Sequence, residues 1–138
     1  MIPNPLDLFL LLFLVSRTTS TTTMFFRGQI TCSLNRPFFY QIQIIEIDQA
    51  TDNDKISRAS FVYSKISPSP YSITAIDTSD GIHSENFFTI EIYIYHDCSD
   101  YGKHKLIRHK FARVWIYPGS YYYDVDFDIT NRGQTDDW

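Results

Sequence analysis

The tetrapeptide Tyr95-His96-Asp97-Cys98 sets an imidazole, a carboxylate and one of the two thiols of the chain side by side. Three chemistries could use them. As a metal site, His96 and Cys98 are two apart and so face the same way on a strand. Zinc would need at least two further ligands, and His83, His104, His109 and the scattered acids form no C-x-x-C or H-x-x-x-H pair. No metal and no cofactor is therefore assigned. As a nucleophile, Cys98 would need a base within hydrogen-bond reach and a lowered pKa, and His96 could approach it on the same face. As a structural half-cystine, Cys98 would bond to Cys32, the other cysteine of the sequence.

Other clusters invite binding rather than catalysis. The stretch 103–113 carries Lys103, Lys105, Arg108, Lys110 and Arg113 on an otherwise acidic chain. It is a candidate surface for anionic headgroups or an acidic partner, each base adding on the order of 1 kcal/mol near a charged membrane. The competing reading is a solvated edge strand protected by its lysines. Trp115, Tyr117, Tyr121, Tyr122 and Tyr123 straddle a Pro-Gly-Ser turn; packed, they pair across a hairpin, and exposed together they form a protein-binding patch. The acids Asp48, Asp52, Asp54, Asp124, Asp126 and Asp128 lack the glycine and terminal glutamate of an EF-hand loop and read as a solvated face.

The frame that must position these groups is short. The 138 residues, 43% hydrophobic and 17% aromatic, suffice for one domain with a real core. A net charge of −4 and a pI of about 5.4 argue against a nucleic-acid partner held by a basic face. Leu8 to Val15 is an unbroken apolar run followed by Arg17 and a Thr/Ser tract. It has the length of a secretory h-region and is far short of the ~20 residues that cross a bilayer. The expected division is a signal peptide over 1–20, with small Thr18 and Ser20 before a cut at Thr21, and one secreted domain over 21–138. The n-region departs from that pattern in carrying Asp7 and no base. No Asn-x-Ser/Thr sequon occurs.

Period-two alternation dominates residues 21–138 and predicts strands throughout. Strands are expected over 25–32, with Gly28 a bulge or a close approach, then 39–48, 58–64, 71–76, 87–98, 106–117 and 121–129. In 39–48 the apolar phase slips at Ile44 and Ile45, which predicts a β-bulge there. Residues 49–55 read as a loop, Ser67-Pro68-Ser69-Pro70 as a turn, and the tail after Thr130 as frayed. Seven short strands between polar turns fit an all-β, antiparallel β-sandwich of immunoglobulin-like size.

Arg27-Gly28-Gln29-Ile30-Thr31-Cys32, then Pro37 and the alternating strand after it, and above all Tyr95-His96-Asp97-Cys98 with Ser99-Asp100, resemble in order the nematode transthyretin-like family of small secreted proteins. The resemblance covers most of the chain after residue 20. Two departures mark a divergent member. The family's Thr-Asp-x-x-Gly-x-Phe turn is replaced by VYSKISPSPYS, and the cysteine that many members carry shortly after the tetrapeptide is absent.

The resemblance implies a transthyretin-like sandwich, secretion, and binding rather than enzymatic roles in at least some members. It supports the Cys32–Cys98 pairing indirectly, because a missing downstream partner would otherwise orphan two cysteines in a secreted chain. That bridge would close a loop of about 66 residues and stabilise by roughly 4 kcal/mol. His96 is then expected to hydrogen-bond a neighbouring strand or turn, and Asp97 to cap the turn. Hydroxyisourate hydrolases share the transthyretin fold. Their C-terminal Tyr-Arg-Gly-Ser is reduced here to Arg132-Gly133 between Asn131 and Gln134, and no histidine precedes His83. The expectation is a non-catalytic extracellular binding or signalling protein, facing a cell-surface receptor, another extracellular protein or an anionic lipid. The alternatives are a hydrolase of that type and a structural matrix component.

Overall fold

An apolar residue at every second position gives an extended chain one face to bury, and the burial follows that alternation. The computed structural model describes residues 21–47, 52–78, 87–115 and 117–135. The expected signal segment, Asp48 and His83 lie outside them. Ten strands occur among the described residues: β1 (Thr21–Thr31), β2 (Phe38–Glu46), β3 (Asp54–Lys55), β4 (Ser60–Ser64), β5 (Ser69–Thr78), β6 (Phe87–His96), β7 (Lys105–Trp115), β8 (Gly119–Asp124), β9 (Phe127–Asp128) and β10 (Gln134–Thr135).

They form two open sheets. The smaller runs β5-β1-β8, with β9 continuing along β1; the larger runs β10-β7-β6-β2, with β3 and β4 sharing the far edge of β2. One core lies between them. Met24, Phe26 and Ile30 of β1 are buried with Ile42 and Ile44 of β2 and Ile90, Ile92 and Ile94 of β6. The chain is thus all-β, and its two sheets are consistent with a β-sandwich.

The wholly antiparallel expectation is corrected. β1 pairs with β5 antiparallel but with β8 and β9 parallel. β8 reaches β1 after the chain has left β7 in the other sheet, so no hairpin fixes its direction.

Other boundaries shift for local reasons. The 121–129 strand breaks into β8 and β9 because Val125 dips toward β1. There Val125 accepts a 2.6 Å hydrogen bond from the Tyr71 hydroxyl, and its N–H donates to Arg27 O at 2.9 Å. Gly28 makes this possible, since a Cβ on it would lie 2.0 Å from Val125 O; it is the close approach rather than the bulge. Asp54 and Lys55, read as loop, pair with Glu46 and Ile45. Pro70 lies inside β5, opposite Gln29, on the edge strand where a missing N–H is tolerated. The tail is not frayed at 134–135, where β10 pairs with β7.

The expected bulge in β2 is absent. The β2–β6 ladder runs in register from Tyr40 to Glu46. The irregularity falls on the other edge of β2, between its pairings with β4 and β3, where the Ser57 hydroxyl accepts from Ile44 N at 2.8 Å. A bulge does occur between β6 and β7, where Thr89 to Glu91 faces Arg113 to Lys110.

Candidate functional site

His96 ends β6 fully buried, and Cys98 two residues later is equally enclosed. Cys98 is bonded to Cys32, with Cα atoms 6.0 Å apart. The thiol that a nucleophile or a zinc ligand would need is consumed. Among the described residues no three His, Cys, Asp or Glu side chains converge on a point where a metal could sit.

The rest of the tetrapeptide joins three chain segments. Asp97 Oδ1 accepts from Phe39 N at 2.8 Å and Asp97 N donates to Phe39 O at 3.2 Å, so the residue extends the β2–β6 ladder rather than simply capping a turn. Its own carbonyl accepts from Ser99 N and from the Arg36 guanidinium, which also reaches Ser99 O. The 3-10 turn Asp100–Gly102 follows. Asn131, at φ 56°, clamps the corner from the C-terminal side: its N–H donates to Cys98 O and its side-chain oxygen accepts from Asp100 N.

His96 Nε2 lies 3.0 Å from Arg132 O. A carbonyl can only accept, so Nε2 carries the proton. Nδ1 is buried without a partner. Burial is the main cause that lowers the His96 pKa below its ordinary value, against the hydrogen bond to Arg132 and the charge of Asp97.

The basic stretch is divided by the pleat. Lys105 pairs opposite the inward-facing His96 and donates to Asn131 O at 2.8 Å. Lys103 precedes the strand. Arg108 and Lys110 lie opposite Tyr93 and Glu91, on the face of the larger sheet turned away from the core. Arg113 would point inward by simple alternation, but the bulge returns it to the outer face, opposite Thr89. Arg108 stands over the Tyr93 ring at 5.4 Å and Arg113 over Phe87 at 5.9 Å.

The expected aromatic patch is also divided. Tyr121 and Tyr123 pack against the core, the latter stacked 5.0 Å from Phe26. Tyr122 turns out on the smaller sheet and stacks on Phe25 at 4.9 Å. Trp115 and Tyr117 neighbour each other beyond the end of the larger sheet, Trp115 against Phe87 at 4.2 Å. They do not form one surface.

A different group of rings does. Phe61 and Tyr63 of β4 are 67% and 65% exposed, on the same outer face as Phe39, Tyr95 and Tyr93. Phe39 meets Phe61 at 6.2 Å and Tyr95 at 6.3 Å, and His104 lies flat on Tyr95 at 5.1 Å. Gln41 and Gln43 sit between the rings. Rings on β4, β2 and β6 therefore adjoin cations on β7 across one face, which is exposed at Phe61, Tyr63, Arg108, Lys110 and Arg113 and buried at Ile45. Lys55 joins the cations at the opposite edge, beside Ile45. Among the described residues, the acids of this face include Glu91, hydrogen-bonded by Tyr93, and Asp97, held on Phe39 N. The sequence reading missed Phe61 and Tyr63. Their signal was the period-two pair itself, two aromatics flanking an inward Val62.

The aspartates are separated or engaged. Asp124 pairs with Arg27, which holds its carboxyl below the usual range. Asp126 accepts from Gln29 N and Asp128 from Thr130 N. Asp52 and Asp54 are exposed in another part of the chain. No family model and no curated protein sequence matches this chain.

Proposed function

We propose that this is a secreted, non-catalytic binding protein of transthyretin-like type, which meets a negatively charged component of the cell surface through the outer face of the larger sheet. The observation that carries the reading is that outer face, where Phe61, Tyr63, Phe39 and Tyr95 adjoin Arg108, Lys110 and Arg113. Exposed rings beside cations are what interaction surfaces collect. The disulfide fits an oxidising compartment, and with it an exported chain. A signal cut at Thr21 would leave β1 whole, whereas one after Thr22 would remove a buried residue whose hydroxyl donates to Tyr117 O at 3.2 Å.

The corner of the tetrapeptide supports a structural role. Its thiol is bonded, its carboxylate completes a ladder, and its imidazole is enclosed against Arg132 O. The hydroxyisourate hydrolase pattern is reduced to Arg132-Gly133, whose Arg132 carbonyl is engaged by the enclosed His96. The test is binding of labelled mature protein to intact cells. Saturable binding is expected, lost in Phe61→Ser/Tyr63→Ser and in Arg108→Glu/Lys110→Glu. Co-sedimentation with vesicles, with and without anionic lipid, tests whether lipid headgroups are the charged component. Turnover of hydroxyisourate that disappears in His96→Ala or Arg132→Ala would overturn the non-catalytic reading.

A further inference from the structure

The β6–β7 bulge decides which side chains β7 shows to solvent. Ile107, His109 and Phe111 alternate inward, and Leu106, Arg108 and Lys110 outward; the extra residue then puts Val114 in the core and Arg113 and Trp115 outside. Three cations consequently stand in one row. Arg108 and Lys110 are one pleat repeat apart, about 7 Å, and the row to Arg113 is roughly 15 Å long. Each is exposed. Beside the row, and one strand inward, lie the faces of Phe87 and Tyr93, both already in cation–π contact with it.

We propose that this row is a binding site for a linear acidic glycan, a chain of sulfated or uronate sugars lying along β7. The inference rests on the binding face proposed above and names the chemistry of its partner. Three features favour a glycan chain over other polyanions. Sulfate and carboxylate groups recurring along a chain match cations recurring along a strand. Tyr93 and Tyr95, each already covered on one face by Arg108 or His104, leave partly exposed ring surface for the C–H faces of pyranoses, and Gln41 and Gln43 can exchange hydrogen bonds with hydroxyls.

The third feature is the charge of the whole molecule. The chain carries −4 overall, so no net charge draws in a polyanion, and Arg108, Lys110 and Arg113 are cations that β7 sets in one row. At physiological salt, charges are screened beyond about 8 Å. A narrow chain stays within that distance of the row, whereas a broad anionic bilayer would also confront the acids around it.

The experiment is titration of the mature protein with a heparin oligosaccharide at 0.15 M NaCl and at higher salt. Neutral dextran, phosphatidylserine vesicles and single-stranded oligonucleotide serve as competing probes. Binding to heparin is expected to weaken steeply with salt, and Arg108→Ser/Lys110→Ser/Arg113→Ser is expected to weaken it at least tenfold. Arg58→Ser, a cation in the groove beside β5, should change it less than twofold. The far-UV spectrum and thermal midpoint of each variant verify its fold. No binding to heparin, an undiminished affinity in the folded triple variant, or tighter binding of vesicles or oligonucleotide than of heparin overturns the proposal. If heparin fails while Phe61→Ser/Tyr63→Ser still abolishes cell binding, the glycan alone is excluded; if cell binding also fails, the binding face falls with it.

Discussion

The surroundings of His96 favour its neutral form. Nε2–H is committed to Arg132 O, and Nδ1 faces the interior with no acceptor. Protonation would bury a charge and an unpaired donor together, while Lys105 and His104 add repulsion. The folded-state pKa therefore lies below the ordinary 6.5 of the unfolded chain. The unfolded chain binds the extra proton first, so this residue lowers stability as pH falls through and beneath 6.5 and has no effect well above it. Asp124 and Asp128, held below the ordinary 3.8, lose their contribution only at still lower pH. Urea unfolding between pH 7.5 and 5 should show wild-type stability declining, and His96→Gln, which can keep a donor to Arg132 O, declining less. Parallel profiles would mean that His96 is not responsible. The tetrapeptide was legible as the junction of a strand end and a bridge. Its partners were not, because Arg36, Asn131 and Arg132 reach it from segments far apart in sequence.

At the scale of elements, alternation located the long strands, and its failures mark where a second partner intervenes. The slip at Ile44 and Ile45 looked like a bulge because period two assumes one buried face. In fact both residues are buried, where β2 exchanges β4 for β3 along its edge. The bulge that does form lies in β7, where Phe-Ala-Arg gave no conspicuous break in pattern, so the placement of Arg113 could not be read in advance. Gly28 could in part, because an isolated glycine in a strand marks either a bulge or a close approach. Gly28→Ala would press a methyl into Val125 O and C, both backbone atoms that cannot swing away. β1 would have to part from β8 and β9, at a cost of roughly 4 kcal/mol or more. Tyr71→Phe touches the same carbonyl more gently. It removes the 2.6 Å hydrogen bond without a clash and is expected to cost roughly 1–3 kcal/mol. Chemical denaturation of the two variants should rank them in that order, and an alanine at 28 as stable as wild type would refute the close contact.

For the whole molecule, composition and cysteine count were enough to expect a single β core with one bridge, but not the parallel entry of β8 and β9 beside β1. That topology depends on which sheet the chain crosses to after Trp115, and neither face pattern nor turn chemistry encodes the crossing. The bridge itself joins the sheets' ends. Cys32 follows β1 of the smaller sheet and Cys98 follows β6 of the larger, 66 residues on. Closing a loop of that length in the unfolded chain corresponds to about 4 kcal/mol on the chain-entropy account. This is a large share of the roughly 5–15 kcal/mol typical of a domain. Cys32→Ser/Cys98→Ser should therefore lower the urea midpoint strongly with little change in the native far-UV spectrum wherever the variant still folds. Cys32→Ser alone should be no more damaging at equilibrium, because the thiol left enclosed at 98 buries as a small apolar group where a second serine would bury a hydroxyl. Mass spectrometry after alkylation, with and without prior reduction, supplies the independent reading: no thiol should be labelled before reduction and two afterwards. Labelling without reduction would remove the bridge from the molecule, and with it the argument that Cys98 is withdrawn from metal and nucleophile chemistry.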